Sequence, residues 1–170
     1  GANQRISAAH RSVALAACDP GDVLLLQNEI NGTSGLIRQA HGAGLRVCLN
    51  PAPMDESVHS YPLELLDLLI VNEHEGEALA GETVPERILD GLAAKYPQTR
   101  LCLTLGGDGI MFREVGGPTV SQQASAHRPV DTTAAGDTFI GFFLAAGMAG
   151  KTVAEALAIA SEAAGISVTR

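Results

Sequence analysis

Tryptophan is absent from this chain of 170 residues, and aromatics make up only 4%. The core is therefore expected to be built from Leu, Ile, Val and Ala. Lysine is almost as scarce: Lys95 and Lys151 are the only two, and neither lies in a glycine-rich loop. No G-x-x-x-x-G-K-[ST] run occurs, which counts against a P-loop nucleotide site. The net charge of −8 leaves little room for the basic face of a nucleic-acid binder, so no such partner is expected. Nucleotide phosphates would have to be neutralised by a metal and by backbone dipoles. The cysteines are few and odd in number (Cys18, Cys48, Cys102), without zinc-site spacing. Cys48 and Cys102 sit in apolar runs, where a buried thiol is the default. No apolar run reaches the roughly 18 residues of a membrane span, and no signal peptide is visible. The expectation is a cytoplasmic protein with no membrane partner.

What is present describes a folding chain. Hydrophobic residues make up 46%, enough for a core, and the length suits a single domain over residues 1–170. The 19 glycines mark repeated turns. Strands are expected at 23–27, 45–49, 68–71, 101–105, 110–113 and 119–124, the first buried on both faces. Helices are expected at 33–44 with Thr33 or Ser34 as cap, at 76–80, 85–96, 136–149 and 153–168, with a short helix at 63–66 and a short helix or turn at 13–17. In the last helix, Val153, Leu157, Ala160 and Ala164 recur at core-facing spacing. Strands alternating with helices predict an α/β fold. Its sheet is mainly parallel and twisted, with helices on both faces in three Rossmann-like layers.

The stretch from Pro129 to Phe139, Pro-Val-Asp-Thr-Thr-Ala-Ala-Gly-Asp-Thr-Phe, organises the functional reading. A polar turn runs into Ala-Ala-Gly-Asp and then into a long apolar run, as at a helix start. The first N–H groups of a helix lack intrahelical partners, and the dipole there favours negative charge. Small residues at Ala134, Ala135 and Gly136 would let a phosphate approach those groups as an anion hole. Asp137 at the same place could take the proton of an attacking hydroxyl. Asp is also an ordinary helix-cap residue, and Gly-Asp alone would say no more than that.

Three further patterns follow strands or precede that helix. Asn72-Glu73-His74-Glu75 offers an amide and carboxylates that could hold Mg²⁺ through waters, or simply a solvated acidic helix start. Thr104-Leu105-Gly106-Gly107-Asp108-Gly109 is a loop against which a nucleotide could lie, or a plain hairpin turn, with Asp108 directed to solvent. Asp131 and Thr133 could ligate a monovalent cation or only brace their loop. The histidines form no pair at metal-ligand spacing, and no role falls to them.

Taken together, these stretches resemble the ribokinase-like (PfkB) carbohydrate kinases, and within them the ribokinases. The 129–139 segment matches the C-terminal signature of that family, residues 72–75 its N-x-x-E motif, and residues 104–109 its T-L-G-x-x-G loop. The resemblance implies Asp137 as catalytic base and Ala134, Ala135 and Gly136 as anion hole. It assigns ATP binding to Asn72, Thr104, Leu105, Gly106, Gly107, Gly109, Gly136 and Ser161. It places Glu75 near Mg²⁺ through water, and Asp131 and Thr133 at an incomplete K⁺ site. Gln27-Asn28-Glu29 matches a sugar-contacting context, which makes Glu29 a substrate-binding residue beside Asp137, and Asn50-Pro51-Ala52-Pro53 matches a ribokinase loop. The implied activity is ATP-dependent phosphorylation of a sugar hydroxyl, ribose to ribose 5-phosphate first. Fructokinase, nucleoside kinase or a nucleotide-binding module without kinase activity are the alternatives. The resemblance covers only the C-terminal, nucleotide-binding portion of the family's length, without the N-terminal half and the β lid. The expectation is thus a fragment, a truncated product or one piece of a split protein, with a homodimer belonging to the full-length parent.

Overall fold

The computed structural model describes residues 2–127 and 130–169. Pro129, the first residue of the signature stretch, lies outside the described residues, as does Arg170, where the resemblance ends. Two compact units emerge: one holds the described residues up to Leu103 together with Arg113–Pro118, the other Thr104–Phe112 and the described residues from Thr119 onward.

In the first unit, β1 (Val23–Gln27), β2 (Arg46–Asn50), β3 (Leu68–Asn72) and β4 (Arg100–Thr104) are neighbours in chain order. β1 and β2 run parallel with Val23 opposite Arg46, and β2 and β3 run parallel with Cys48 opposite Leu68. Parallel neighbours need crossover connections. α2 (Thr33–Gly42) lies in the first, while α3 (Glu73–Ala80) and α4 (Pro85–Lys95) lie between β3 and β4. Val47, Leu49, Leu69, Leu101 and Leu103 from the strands, with Ile37, Ile88 and Leu92 from the helices, are fully buried. Cys48 and Cys102 are buried among them, as the sequence indicated, and burial pushes the Cys48 thiol up to about 11, out of the range of a reactive thiolate.

Two expectations for this unit need correction. β1 is not buried on both faces: only Leu26 is buried, and Leu25 is 41% exposed. It stands at the end of the strand order with one neighbour, and α1 (Ala8–Ala16) buries none of its own residues. Nor is α2 capped by Thr33 or Ser34. Gly32, with φ of 77°, holds the N-cap position, and the buried Thr33 hydroxyl donates instead to the Ile30 carbonyl at 3.0 Å.

The second unit is built from β5 (Ile110–Arg113) as far as Phe112, β6 (Thr119–Gln122), α5 (Ala135–Met148) and α6 (Val153–Ser167), with α5 packed along α6. Its core is more aromatic than the composition suggests. Phe112, Phe139 and Phe143 are buried, with ring centroids 5.5 Å apart for Phe112–Phe143 and 5.8 Å for the stacked Phe139–Phe143 pair. Leu157 and Ala160 are buried as predicted, joined by Ala156 and Ser161, whereas Val153 and Ala164 are only half-buried. α6 begins with a capping box: the Thr152 hydroxyl accepts from the Glu155 N–H at 3.3 Å, and the Glu155 carboxylate accepts from the Thr152 N–H at 2.8 Å. Thr152→Ala removes one arm and should cost about 1 kcal/mol, read as a lower urea midpoint. Among the described residues no helix is long and apolar enough to cross a membrane.

Candidate active site

The glycine loop after β4 is folded by its own backbone. The Leu105 N–H donates to the Gly109 carbonyl at 2.8 Å, and the Asp108 N–H to the Leu105 carbonyl at 3.0 Å, closing a single 3₁₀ turn over Gly106–Asp108. Gly109 adopts φ of 103°, and a Cβ there would stand 2.2 Å from the Gln122 carbonyl oxygen. Only glycine suits that position. Asp108 is exposed, as expected.

The signature loop is braced from α6. Both the Val130 and Asp131 N–H groups donate to the Val168 carbonyl, at 2.7 and 3.1 Å. The Asp131 carboxylate accepts from the Thr133 N–H at 2.8 Å, and its hydrogen bonds from Thr133 hold its carboxyl below the usual range. Ala134 then takes a left-handed conformation, φ 62° and ψ 7°, as N-cap of α5. For alanine that conformation costs roughly 1–2 kcal/mol, and such strain gathers at ligand sites. The Ala135 N–H donates to the Thr132 carbonyl at 3.2 Å, so this member of the expected anion hole is already engaged. Gly136 and Asp137 follow in the first turn, both exposed.

Ser161 is not a helix-surface hydroxyl. It is 6% exposed and donates to the Gln123 carbonyl at 3.1 Å. With these elements in place, the second unit encloses a cavity of about 450 Å³. Thr104, Gly106, Gly107, Gly109, Ala135, Gly136 and Ser161 line it, drawn from three stretches far apart in sequence. Leu105, Ala134 and Asp137 are not lining residues; Asp137 adjoins Gly136 along the chain. Ser125, His127, Gly165 and Val168 line the cavity without having been singled out, as do Thr132 and Ala164, which had been given no part in the site. Ser161, Ala164, Gly165 and Val168 fall at helical spacing, so a period-3.6 face of small residues was the available signal.

In the first unit, polar side chains cluster at the C-terminal ends of the parallel strands, where α/β proteins place ligands. Asn72 caps α3: its side chain accepts from the Glu75 N–H at 2.9 Å, while its own N–H and amide both donate to the Glu75 carboxylate at 3.0 Å. Asn50 donates to the same carboxylate at 3.3 Å and accepts from Gln27 at 3.3 Å. Glu75 is 4% exposed, not a solvated helix start. Burial raises its pKa against the opposing pull of the Asn72 and Asn50 hydrogen bonds. Glu29 is exposed. Both oxygens of Glu75 accept hydrogen bonds, which suits contact with a hydrated cation through water better than direct ligation. No group of three or more His, Cys, Asp or Glu side chains able to hold a metal occurs among the described residues.

Residues 20–170 match the sequence profile of the pfkB family carbohydrate kinases. The chain belongs to that family. It is 33% identical to the ribokinase of Bacillus subtilis over 170 residues, 99% of this chain and 56% of that protein. It is 32% identical to the ribokinase of Haemophilus influenzae, covering all of this chain and 57% of that one. Among solved structures it resembles an Arabidopsis thaliana ribokinase complexed with ribose and ATP (TM-score 0.82, 28% identity, 96% of this chain and 54% of that chain). It also resembles the ribokinase of Thermotoga maritima (TM-score 0.78, 30% identity, 100% and 57%). The expected α/β, ribokinase-like fold is therefore the fold observed. The pfkB family chain spans about half the length of these relatives.

Proposed function

We propose that this pfkB family chain carries the ATP site, anion hole and catalytic base of a sugar kinase, acting on ribose to give ribose 5-phosphate. The observation that carries the reading is the second unit's cavity, into which the glycine loop, the first turn of α5 and Ser161 all open. Backbone amides at a helix start, without a lysine, suit phosphate oxygens. Gly136 is foremost among them, since the Ala135 amide is taken. Asp137 accepts the proton of the sugar hydroxyl as its oxygen bonds to the γ-phosphorus and ADP leaves. Mg²⁺, met by Glu75 through water, would neutralise phosphate charge, and Asn72 is assigned to the nucleotide. Glu29 is assigned to the sugar. Asp131 and Thr133 are assigned to a K⁺ ion, although the Asp131 carboxylate also serves its own loop. Ribokinases among the relatives, one of them complexed with ribose and ATP, support ribose as the acceptor.

The length relation favours a second reading: a nucleotide-binding module that does not turn over sugar alone. Calorimetry of the purified chain separates the two. Mg-ATP is expected to bind under both. Measurable ribose binding with turnover supports the kinase, and ATP binding without ribose supports the module. A chain that binds neither overturns both readings.

A further inference from the structure

Beside the nucleotide cavity lies a cluster of polar side chains that takes no part in the chemistry above. The Glu162 carboxylate on α6 accepts from the Ser125 hydroxyl at 2.7 Å through one oxygen and meets His127 Nε2 at 2.8 Å through the other. One turn on, Gly165 lets the same segment lie against the helix: a Cβ there would stand 2.5 Å from Ser125 Cβ and 2.9 Å from His127 Cδ2. The Ser161 hydroxyl makes a third tie, to the Gln123 carbonyl. Ser125, His127 and Gly165 line the cavity, whereas Glu162 does not; it borders an apolar groove with Phe142 and Ile159 instead.

We propose that Glu162 is a positioning residue for adenine-nucleotide binding: from outside the cavity, it holds Ser125 and His127 as one wall of it. This rests on the nucleotide reading of the same cavity. A single carboxylate grips both ends of a three-residue span, and two charge-assisted contacts outweigh what one exposed ion pair contributes. The hydrogen bonds from His127 and Ser125 keep the Glu162 carboxyl below the usual range, as a carboxylate engaged in both contacts requires. Without it, the Gly165 contact and the Ser161 tie remain on that side.

ADP titration of the full chain and hydrogen exchange at the amides of residues 124–127 test the proposal together. Glu162→Ala should weaken ADP binding roughly 3- to 10-fold and speed exchange over 124–127 about tenfold, with exchange in α5 unchanged. Glu162→Gln, which can still accept from Ser125, should fall between. Added to a Ser125→Ala/His127→Ala background, Glu162→Ala should change ADP affinity less than about twofold, since a residue acting only through those two has nothing left to lose. Unchanged exchange at 124–127, or an undiminished effect in that background, overturns the assignment. If the wild-type chain does not bind ADP, the nucleotide reading fails, and the exchange comparison still decides whether Glu162 holds the wall.

Discussion

Replacing Asp137 with Asn should lower phosphoryl transfer to sugar roughly 10²- to 10⁴-fold, while ADP affinity changes little. The substitution keeps the size and shape of the side chain, and position 137 is exposed in the first turn of α5, so the cost to folding should be small. On the proposed reading, what is lost is the ability to take a proton from the attacking hydroxyl. Because the effect falls on the chemical step, it should appear in kcat and leave KM for ATP near its starting value. The comparison is made in a form of the protein that turns over sugar. Equal kcat for the two forms would remove Asp137 from the mechanism. The neighbouring geometry gives the prediction its weight: Gly136 lines the cavity, and the residue after it is the one carboxylate of that turn.

Strand and helix positions were legible because hydrophobic runs and turn residues agree along the chain. β1 and β5 fall where the pattern put them, and the helix after β3 ends at Ala80 as read, although it begins at Glu73 rather than at residue 76. The departures share a physical origin: each depends on what an element packs against, which a local pattern does not encode. β1 has the composition of a buried strand, but sits at the end of the strand order. Thr33 has the chemistry of a cap, yet its hydroxyl is used by Ile30.

The candidate site divides in the same way. Glycine-rich loops and the Ala-Ala-Gly-Asp turn were visible, since backbone approach to a phosphate demands small residues at fixed positions. The burial of Glu75 was not visible, because it depends on Asn50, which arrives from another strand 25 positions away. His127 and Ser125 escaped notice for a related reason. Their partner Glu162 lies 35 and 37 residues further on, and a lone histidine in a polar stretch carries no signal by itself.

Gly109→Ala should damage the second unit more than any other substitution in the glycine loop. The added Cβ would stand 2.2 Å from the Gln122 carbonyl oxygen and 3.0 Å from both the Ala124 nitrogen and the Gln123 Cα. All three are backbone atoms, so no rotamer change can clear them. The conformation adds its own cost, because φ of 103° with ψ of −141° is nearly closed to any residue with a Cβ. Strain and overpacking together should destabilise by roughly 2–5 kcal/mol, and ADP binding should be lost with the loop. Gly107→Ala supplies the contrast: a Cβ there meets nothing within 4 Å, so its stability cost should stay within about 1 kcal/mol. Urea unfolding of the two variants side by side measures the difference. Similar midpoints would mean that the loop does not follow this path against β6, and the cavity it helps to enclose would have to be redrawn.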